Sequence, residues 1–503
     1  MSEIFGYLAY GFQSLAGLTP LALILLGVIV GILGGATPGI SPSMAVALLL
    51  PMTYSMSSAQ ALILLMAIYI GANYGGSITA VSINTPGTPS AAVTAFDGYP
   101  LAKSGRAGEA MGISLWASVF GGLIGTVILI FGAVPLAKVA LKFWPSEYFA
   151  LCILGLTTVA TLGGKQWRKA LVAVFLGLLI NTMGIDPVLG VRRFTFGVSR
   201  LYDGVAMVPV LIGLFALGEV FYNLEHYKKE DSKFEKITYK FPPVKYYWKL
   251  KASIARSGII GCLIGIFPGA GGTIASFLAY DVEKRFSKHP EQFGKGAPEG
   301  VVAAEASNSG SVGGAMVPLL SLGIPGSSTA AVLVGALMIH DLNPGPELFT
   351  KNPDVVYSMF ASMFVANIFM LFVGIFGSKL WVRVTDIPKT LLYPLIFTFS
   401  ILGSYSVSKS MFDVVVCLVF GVIGWLMKRY EFPVAPVVLG IVLGRLMELN
   451  FSQALMVGGI ASFYTRPMTL ILLAISIVAV LYPIISENRK AKKSGQETEE
   501  PKE

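Results

Sequence analysis

Residues 86–93 read PGTPSAAV, and residues 325–332 read PGSSTAAV. Each stretch lies in strongly apolar surroundings and interrupts them with proline, glycine and hydroxyl side chains. A second pair precedes the first in the same order. Gly35-Ala36-Thr37-Pro38-Gly39 and Gly265-Ile266-Phe267-Pro268-Gly269 share both glycines and the proline. Between the members of each pair stand Asn73-Tyr74-Gly75-Gly76 and Asn308-Ser309-Gly310. One Pro-Gly coincidence is expected in a glycine-rich chain. Two ordered matches at similar separations point to an internal duplication.

The surrounding composition sets the solvent. Of 503 residues, 54% are hydrophobic and 13% charged, and the mean hydropathy is +0.71. A soluble domain carries about 25% charged residues, so half the usual solvating charge is missing. The 56 glycines and 28 prolines would defeat a soluble helical protein. A membrane protein tolerates them where neighbouring helices or a polar cavity satisfy the broken backbone. The chain therefore reads as an all-α polytopic membrane protein of about 10–12 transmembrane helices, with re-entrant or broken helices and two related halves.

The net charge of +9 sits mostly between apolar runs, the pattern of cytoplasmic loops and not of a nucleic-acid surface. Residues 1–223 form the first membrane half in this reading, and residues 224–252, rich in lysine, a cytoplasmic loop. Residues 253–487 form the second half, and residues 488–503 a disordered cytoplasmic tail. The stretch before Leu15 has no Lys or Arg, which places the N-terminus outside. Two odd-spanning inverted halves would then also end outside, against the basic tail, so inverted and parallel halves both stay open. Met1–Gln13 shows no basic n-region and no cleavage site, and the first apolar segment is expected to remain as a membrane helix. Cys152, Cys262 and Cys417 lie far apart without metal-ligand spacing and read as buried free thiols.

Gly/Pro-interrupted apolar segments in corresponding halves point to the substrate site of a secondary transporter. A helix that begins inside the membrane presents unpaired N–H groups and about half a positive charge. Proline suits its first turn, glycine lets the backbone approach a ligand, and Ser or Thr hydroxyls add donors. Small residues that merely allow close helix packing are the competing explanation.

These motifs also carry a family resemblance. Gly35–Pro51 (GATPGISPSMAVALLLP), Asn73–Ala110 and Gly184–Phe196 (GIDPVLGVRRFTF) resemble the large membrane subunit of the tripartite tricarboxylate transporters. Val208–Val220, Gly265–Tyr280 and Pro298–Pro346 extend the resemblance through both halves. It implies cation-coupled uptake of citrate-like or other carboxylates across a bacterial inner membrane. It also implies two partners, an extracytoplasmic solute-binding protein and a small membrane subunit.

Charge arithmetic supports coupling. Burying an ion costs several kcal/mol even after relaxation, and a di- or tricarboxylate brings two or three charges. The repeated motifs contain no Lys or Arg, and a helix end contributes about 0.3–1 kcal/mol, up to about 2 when partly buried. Either accompanying sodium ions or protons neutralise the substrate, or Lys103 and Arg106 fold back to it. The first fits better, because Lys103-Ser104-Gly105-Arg106 reads as a cytoplasmic turn. No other cofactor is expected.

Substrate contacts are expected from Asn84, Thr85, Gly87 and Thr88 in the first half, and from Gly326, Ser327 and Ser328 in the second. Asn73, Gly75, Asn308 and Gly310 are the expected cation ligands. Glu305 reads equally as a proton or cation carboxylate and as the end of the polar loop before it. Asp97 and Asp203, each followed by glycine, suit turns. Asp186 suits a helix-end turn or a functional role equally, and Glu219, near the lysine-rich loop, reads as reaching the interface in preference to a functional role. The chain has no GxxxxGK[ST] and no HExxH. The competing functions are a passive channel or exporter for organic anions and a membrane-embedded serine hydrolase using Ser41 or Ser77.

Overall fold

The computed structural model describes residues 2–37, 39–162, 166–186, 188–226, 241–269, 271–384 and 389–496. Among them the regular structure is helical, except for a short antiparallel pair, β1 (Gly184–Ile185) and β2 (Arg192–Arg193). Among the described residues eight helical stretches are long and apolar enough to cross a membrane, and Ser328–Ile339 and Pro467–Leu481 are shorter apolar helices. The chain is an all-α polytopic membrane protein.

Contacts gather it into two compact units, Met1–Leu141 with Ala206–Arg429, and Lys142–Val205 with Tyr430–Glu503. The second unit thus takes one piece from either side of the lysine-rich stretch at 224–252, which lies within the second piece of the first unit. The first unit begins with α1 (Ser2–Ser14), α2 (Leu18–Ala36), α3 (Pro42–Leu49), α4 (Ser58–Ile83), α5 (Ala91–Leu101) and α6 (Ala107–Ala140). The second unit opens with α7 (Pro145–Leu162) and α8 (Trp167–Asn181). The first resumes with α9 (Met207–Leu211), α10 (Gly218–Glu225), α11 (Val244–Trp248), α12 (Lys251–Gly265), α13 (Gly271–Phe286) and α14 (Pro298–Leu322). It ends with α15 (Ser328–Ile339), α16 (Leu348–Lys351), α17 (Pro353–Val384), α18 (Lys389–Ser408) and α19 (Met411–Arg429). The second unit closes with α20 (Ala435–Gly458), α21 (Ser462–Thr465) and α22 (Pro467–Gln496).

The duplication is visible as repeated packing. α2 lies along α4 as α12 lies along α14, while α6 crosses to α14 and α17 crosses to α4. Long helices of each half thereby find their partners in the other, which is why the compact units do not follow the sequence halves. Glycines permit the close crossings. A Cβ at Gly31 would lie 2.4 Å from the Ile68 carbonyl oxygen, and one at Gly261 would lie 2.1 Å from that of Ser307.

α12 and α13 form a helical hairpin. At about 1.5 Å per residue, their 15 and 16 residues are too short to cross a hydrocarbon core of about 30 Å. Arg256 near the start of α12 holds Glu283 near the end of α13 through two hydrogen bonds, Nε at 2.9 Å and Nη2 at 2.8 Å, and Ser253 adds a third at 2.6 Å. The polar clamp closes the open end and leaves the Phe267–Gly269 turn at the tip. This is a re-entrant element of the kind that proline and glycine imply.

Other expectations fall into place around this frame. Residues 103–106 make an exposed turn between α5 and α6, with Gly105 at φ +84°. Glu109, just beyond, pairs with Arg106 and accepts a hydrogen bond from Tyr246 of α11 at 2.5 Å. The basic turn therefore shares a face with the end of the lysine-rich stretch. Asp186 accepts from the Val188 and Leu189 N–H groups at 2.8 and 2.9 Å and pairs with Arg193, in the turn between β1 and β2 and not at a helix end. Glu219 pairs with Lys428 of α19. His340 meets Thr53 Oγ1 at 3.3 Å, a structural contact. Cys152, Cys262 and Cys417 are buried free thiols. Most of the lysines of the central loop lie in residues 227–240, outside the described residues. α22 continues to Gln496, through residues read from sequence as disordered tail; the Ala, Lys and Arg there are good helix formers.

Candidate functional site

The PGT and PGS motifs mark two matching helix breaks. α4 stops at Ile83, and Asn84 takes a left-handed backbone, φ 54°, with its N–H bonded to the Thr79 carbonyl. The chain turns, and the Gly87 N–H donates to the Gly76 carbonyl at 3.1 Å. Thr88 Oγ1 then accepts from the Ala91 N–H at 3.3 Å, capping α5. In the second half Gly323 takes the left-handed position at φ 76°. The Gly326 N–H donates to the Ala315 carbonyl at 3.3 Å, and Ser327 Oγ accepts from the Ala330 N–H at 3.1 Å, capping α15.

The C-terminal ends of α2 and α12 reach these breaks. A Cβ on Gly87 would lie 2.2 Å from the Gly35 carbonyl oxygen, and one on Gly326 would lie 2.5 Å from that of Gly265. The Gly269 N–H donates to the Gly326 carbonyl at 3.2 Å. Thus the two motif pairs seen in the sequence meet within each half. The halves meet as well: Tyr69 Oη of α4 and Ser327 Oγ are 3.0 Å apart.

The expected substrate residues occupy the two breaks. Asn84 and Thr85 are exposed, Gly87, Thr88 and Gly326 are buried, and Ser327 and Ser328 are half-buried. The expected cation residues sit elsewhere, in unbroken helix. Asn73 and Gly75 lie within α4, Asn308 and Gly310 within α14. Their backbone groups are engaged by the helix ladder, so only the two asparagine side chains are free to meet an ion. Gly75 and Gly310 serve close crossings, a Cβ on either falling 2.5 Å from a carbonyl oxygen of the neighbouring helix. The register also corrects the pairing of Asn73 with Asn308. Since Gly76 corresponds to Ala315 by the matching backbone bonds, the counterpart of Asn308 is Tyr69.

Glu305 is wholly buried in α14. Thr94 of α5 donates to its Oε1, and Ser118 of α6 to Oε2 at 2.8 Å. Beside them Ser77 Oγ lies 2.9 Å from Ser114 Oγ. Glu305 is therefore inside the helix packing and not at the end of the polar loop. Its described partners are hydroxyls. A buried carboxyl without a basic partner is charged only at a cost of several kcal/mol.

Asp97 is the residue that sequence reasoning places wrongly. It lies within α5, fully buried. Its Oδ1 accepts from the Gly294, Gly296 and Ala297 N–H groups, each at 2.8 Å, and its Oδ2 accepts from Tyr280 Oη at 2.7 Å. It fastens α5 to the N-terminal approach of α14. The following Gly98 is there for packing, since a Cβ would lie 2.8 Å from Val81 Cγ2. Asp97→Ala would strand several buried donors at about 1–3 kcal/mol each. The expected cost is about 3 kcal/mol or more, seen as a lowered thermal unfolding midpoint in detergent.

Ser41 caps α3, accepting from the Met44 N–H at 3.2 Å, and Ser77 donates to the Tyr74 carbonyl at 2.6 Å. Both hydroxyls are thus engaged in holding helices.

The chain belongs to the tripartite tricarboxylate transporter TctA family, whose model matches residues 21–439, and is accordingly a tricarboxylate transporter subunit. It is 37% identical over 493 residues to an Agrobacterium vitis protein named "Uncharacterized 52.8 kDa protein in TAR-I ttuC' 3'region", covering 97% of this chain and 98% of the relative. It is 36% identical over 231 residues to another protein of that organism, "Uncharacterized protein in TAR-II ttuC' 3'region", covering 46% of this chain and 96% of the relative. No solved structure matches the chain.

Proposed function

We propose that this subunit takes up a di- or tricarboxylate across a bacterial inner membrane by symport with sodium ions or protons. An extracytoplasmic solute-binding protein delivers the substrate, and a small membrane subunit completes the assembly. The observation that carries this reading is the pair of helix breaks at residues 84–90 and 323–327, each met by the end of α2 or α12 and free of Lys and Arg.

Each break ends one helix and begins another, and the N–H groups that open α5 are already bonded to the Thr88, Pro89 and Ser90 carbonyls. The hydroxyls of Thr88, Ser327 and Ser328 are the donors that suit carboxylate oxygens. Such neutral donors cannot offset two or three buried charges, which is why cations accompany the substrate. Movement of one part against another around the breaks would then give alternating access.

The site is tested by apparent substrate affinity. A hydrogen bond to a charged group contributes about 1.5–3 kcal/mol. Thr88→Val and Ser327→Ala are each expected to raise the KM for uptake about tenfold or more. An unchanged KM in both variants would remove the site. A channel would instead pass substrate down its own gradient without coupling, and a hydrolase would release product without accumulation.

A further inference from the structure

We propose that a small cavity among α4, α6, α14 and α17 binds one dehydrated sodium ion, held by Thr126, Ser309 and Asn367, with Glu305 as its counter-charge. The use of that ion in uptake rests on the symport reading above; its binding does not.

The cavity has about 10 Å³ of room for the centre of a water-sized particle, enough for one. Ile70 and Met363 are among its apolar walls, and Gly122, Thr126, Ser309 and Asn367 line it as well. Asn367 is 1% exposed, and its Oδ1 has no hydrogen-bond partner. Its Nδ2 is spent on the Met363 carbonyl at 2.8 Å, which fixes the carboxamide with its acceptor toward α6. The absence of a side chain at Gly122 makes that possible, because a Cβ there would lie 2.1 Å from the same Oδ1. Thr126 Oγ1 donates its proton to the Gly122 carbonyl at 2.8 Å and keeps lone pairs for a ligand. Acceptors therefore dominate the lining, and hard cations take oxygen ligands.

A buried carboxyl stands close by. Ser309 follows Glu305 by four residues on continuous α14, and Gly122 follows Ser118 by four on continuous α6. Four helical residues rise about 6 Å, and Ser118 is itself bonded to Glu305 at 2.8 Å. The carboxylate and the neutral oxygens are thus one turn apart along the same helix pair. A water in the cavity would satisfy Asn367 and require Glu305 to hold a proton. A monovalent cation satisfies both.

The test is direct binding to the purified full-length chain, read as the thermal unfolding midpoint in sodium chloride against choline chloride at constant ionic strength. Sodium is expected to raise the wild-type midpoint in a saturable way. Asn367→Ala, Thr126→Val and Glu305→Gln are each expected to weaken the apparent sodium affinity at least tenfold. Thr126→Val keeps the side-chain volume and decides the matter if Asn367→Ala does not fold. No sodium-specific shift in the wild type, or wild-type sodium dependence in Asn367→Ala and Thr126→Val, would overturn the site and identify the occupant as water. Either result leaves proton symport intact. Saturable sodium binding without ion-driven accumulation would sink the symport reading and not the site.

Discussion

Gly87→Ala is expected to lower substrate uptake at least about tenfold, and Gly326→Ala to do the same, with both proteins still reaching the membrane. The added Cβ at Gly87 would lie 2.2 Å from the Gly35 carbonyl oxygen and 2.9 Å from Gly76 Cα. At Gly326 it would lie 2.5 Å from the Gly265 oxygen and 2.7 Å from Ala315 Cα. All four contacts are to the backbone of a neighbouring helix, and no rotamer change relieves them. Forcing a methyl into packed surroundings costs about 1–3 kcal/mol, and here the relief is to push the end of α2 or α12 from the helix break by about 1 Å toward ordinary contact distance. That separation dismantles the proposed site without touching a hydroxyl. Gly132→Ala is the control, since nothing lies within 4 Å of its added Cβ. Uptake is measured with radiolabelled carboxylate in cells or vesicles carrying the partner proteins, with membrane levels quantified. Wild-type uptake in both break variants would separate the breaks from transport.

Glu305→Gln is expected to reduce ion-driven accumulation about a hundredfold while leaving substrate exchange between the two sides of the membrane. The amide has nearly the volume of the carboxyl, and the hydroxyls of Thr94 and Ser118 can rotate to serve it as acceptor or donor. What it lacks is the capacity to take up and release a proton or to balance a cation. Counterflow with equal ions on both sides, beside uptake under an imposed gradient, tells these apart. Loss of both activities would give Glu305 a role in folding or substrate binding instead. Equal retention of both would make it a passive buried acid. Glu305→Ala is the harsher change, because it strands two buried hydroxyls at about 1–3 kcal/mol each.

The amino-acid sequence is most legible where backbone chemistry is uncommon. Proline and glycine inside apolar runs have few uses, so Gly35–Gly39, Gly265–Gly269 and the two Pro-Gly motifs can be matched from residue identity and order alone. They do meet in space. Asn73 and Asn308 match by identity too, yet the backbone bonds to Gly76 and Ala315 pair Asn308 with Tyr69. Side chains so unlike leave no trace of their correspondence. Thr94 and Ser118 give no sign of being partners of Glu305, because a hydroxyl in a membrane helix usually bonds its own preceding turn, as Thr126 does to Gly122. Asn367 gives no signal either, since its importance comes from a glycine 245 residues earlier in the chain. Asp97 misleads because glycine after aspartate suits a turn, whereas Gly98 admits Val81. The compact units are hidden for a similar reason: crossings such as α6 on α14 join helices that no local pattern connects.

The central claim is coupled uptake through a site without fixed positive charge. It is tested most directly by reconstituting the chain with its solute-binding protein and small membrane subunit in proteoliposomes. Internal carboxylate is then measured while sodium and proton gradients are imposed singly, together and not at all. The account predicts accumulation above the external free concentration under at least one inward gradient, collapsing when that gradient is dissipated. Uptake that stops at equal concentrations under every gradient would contradict it.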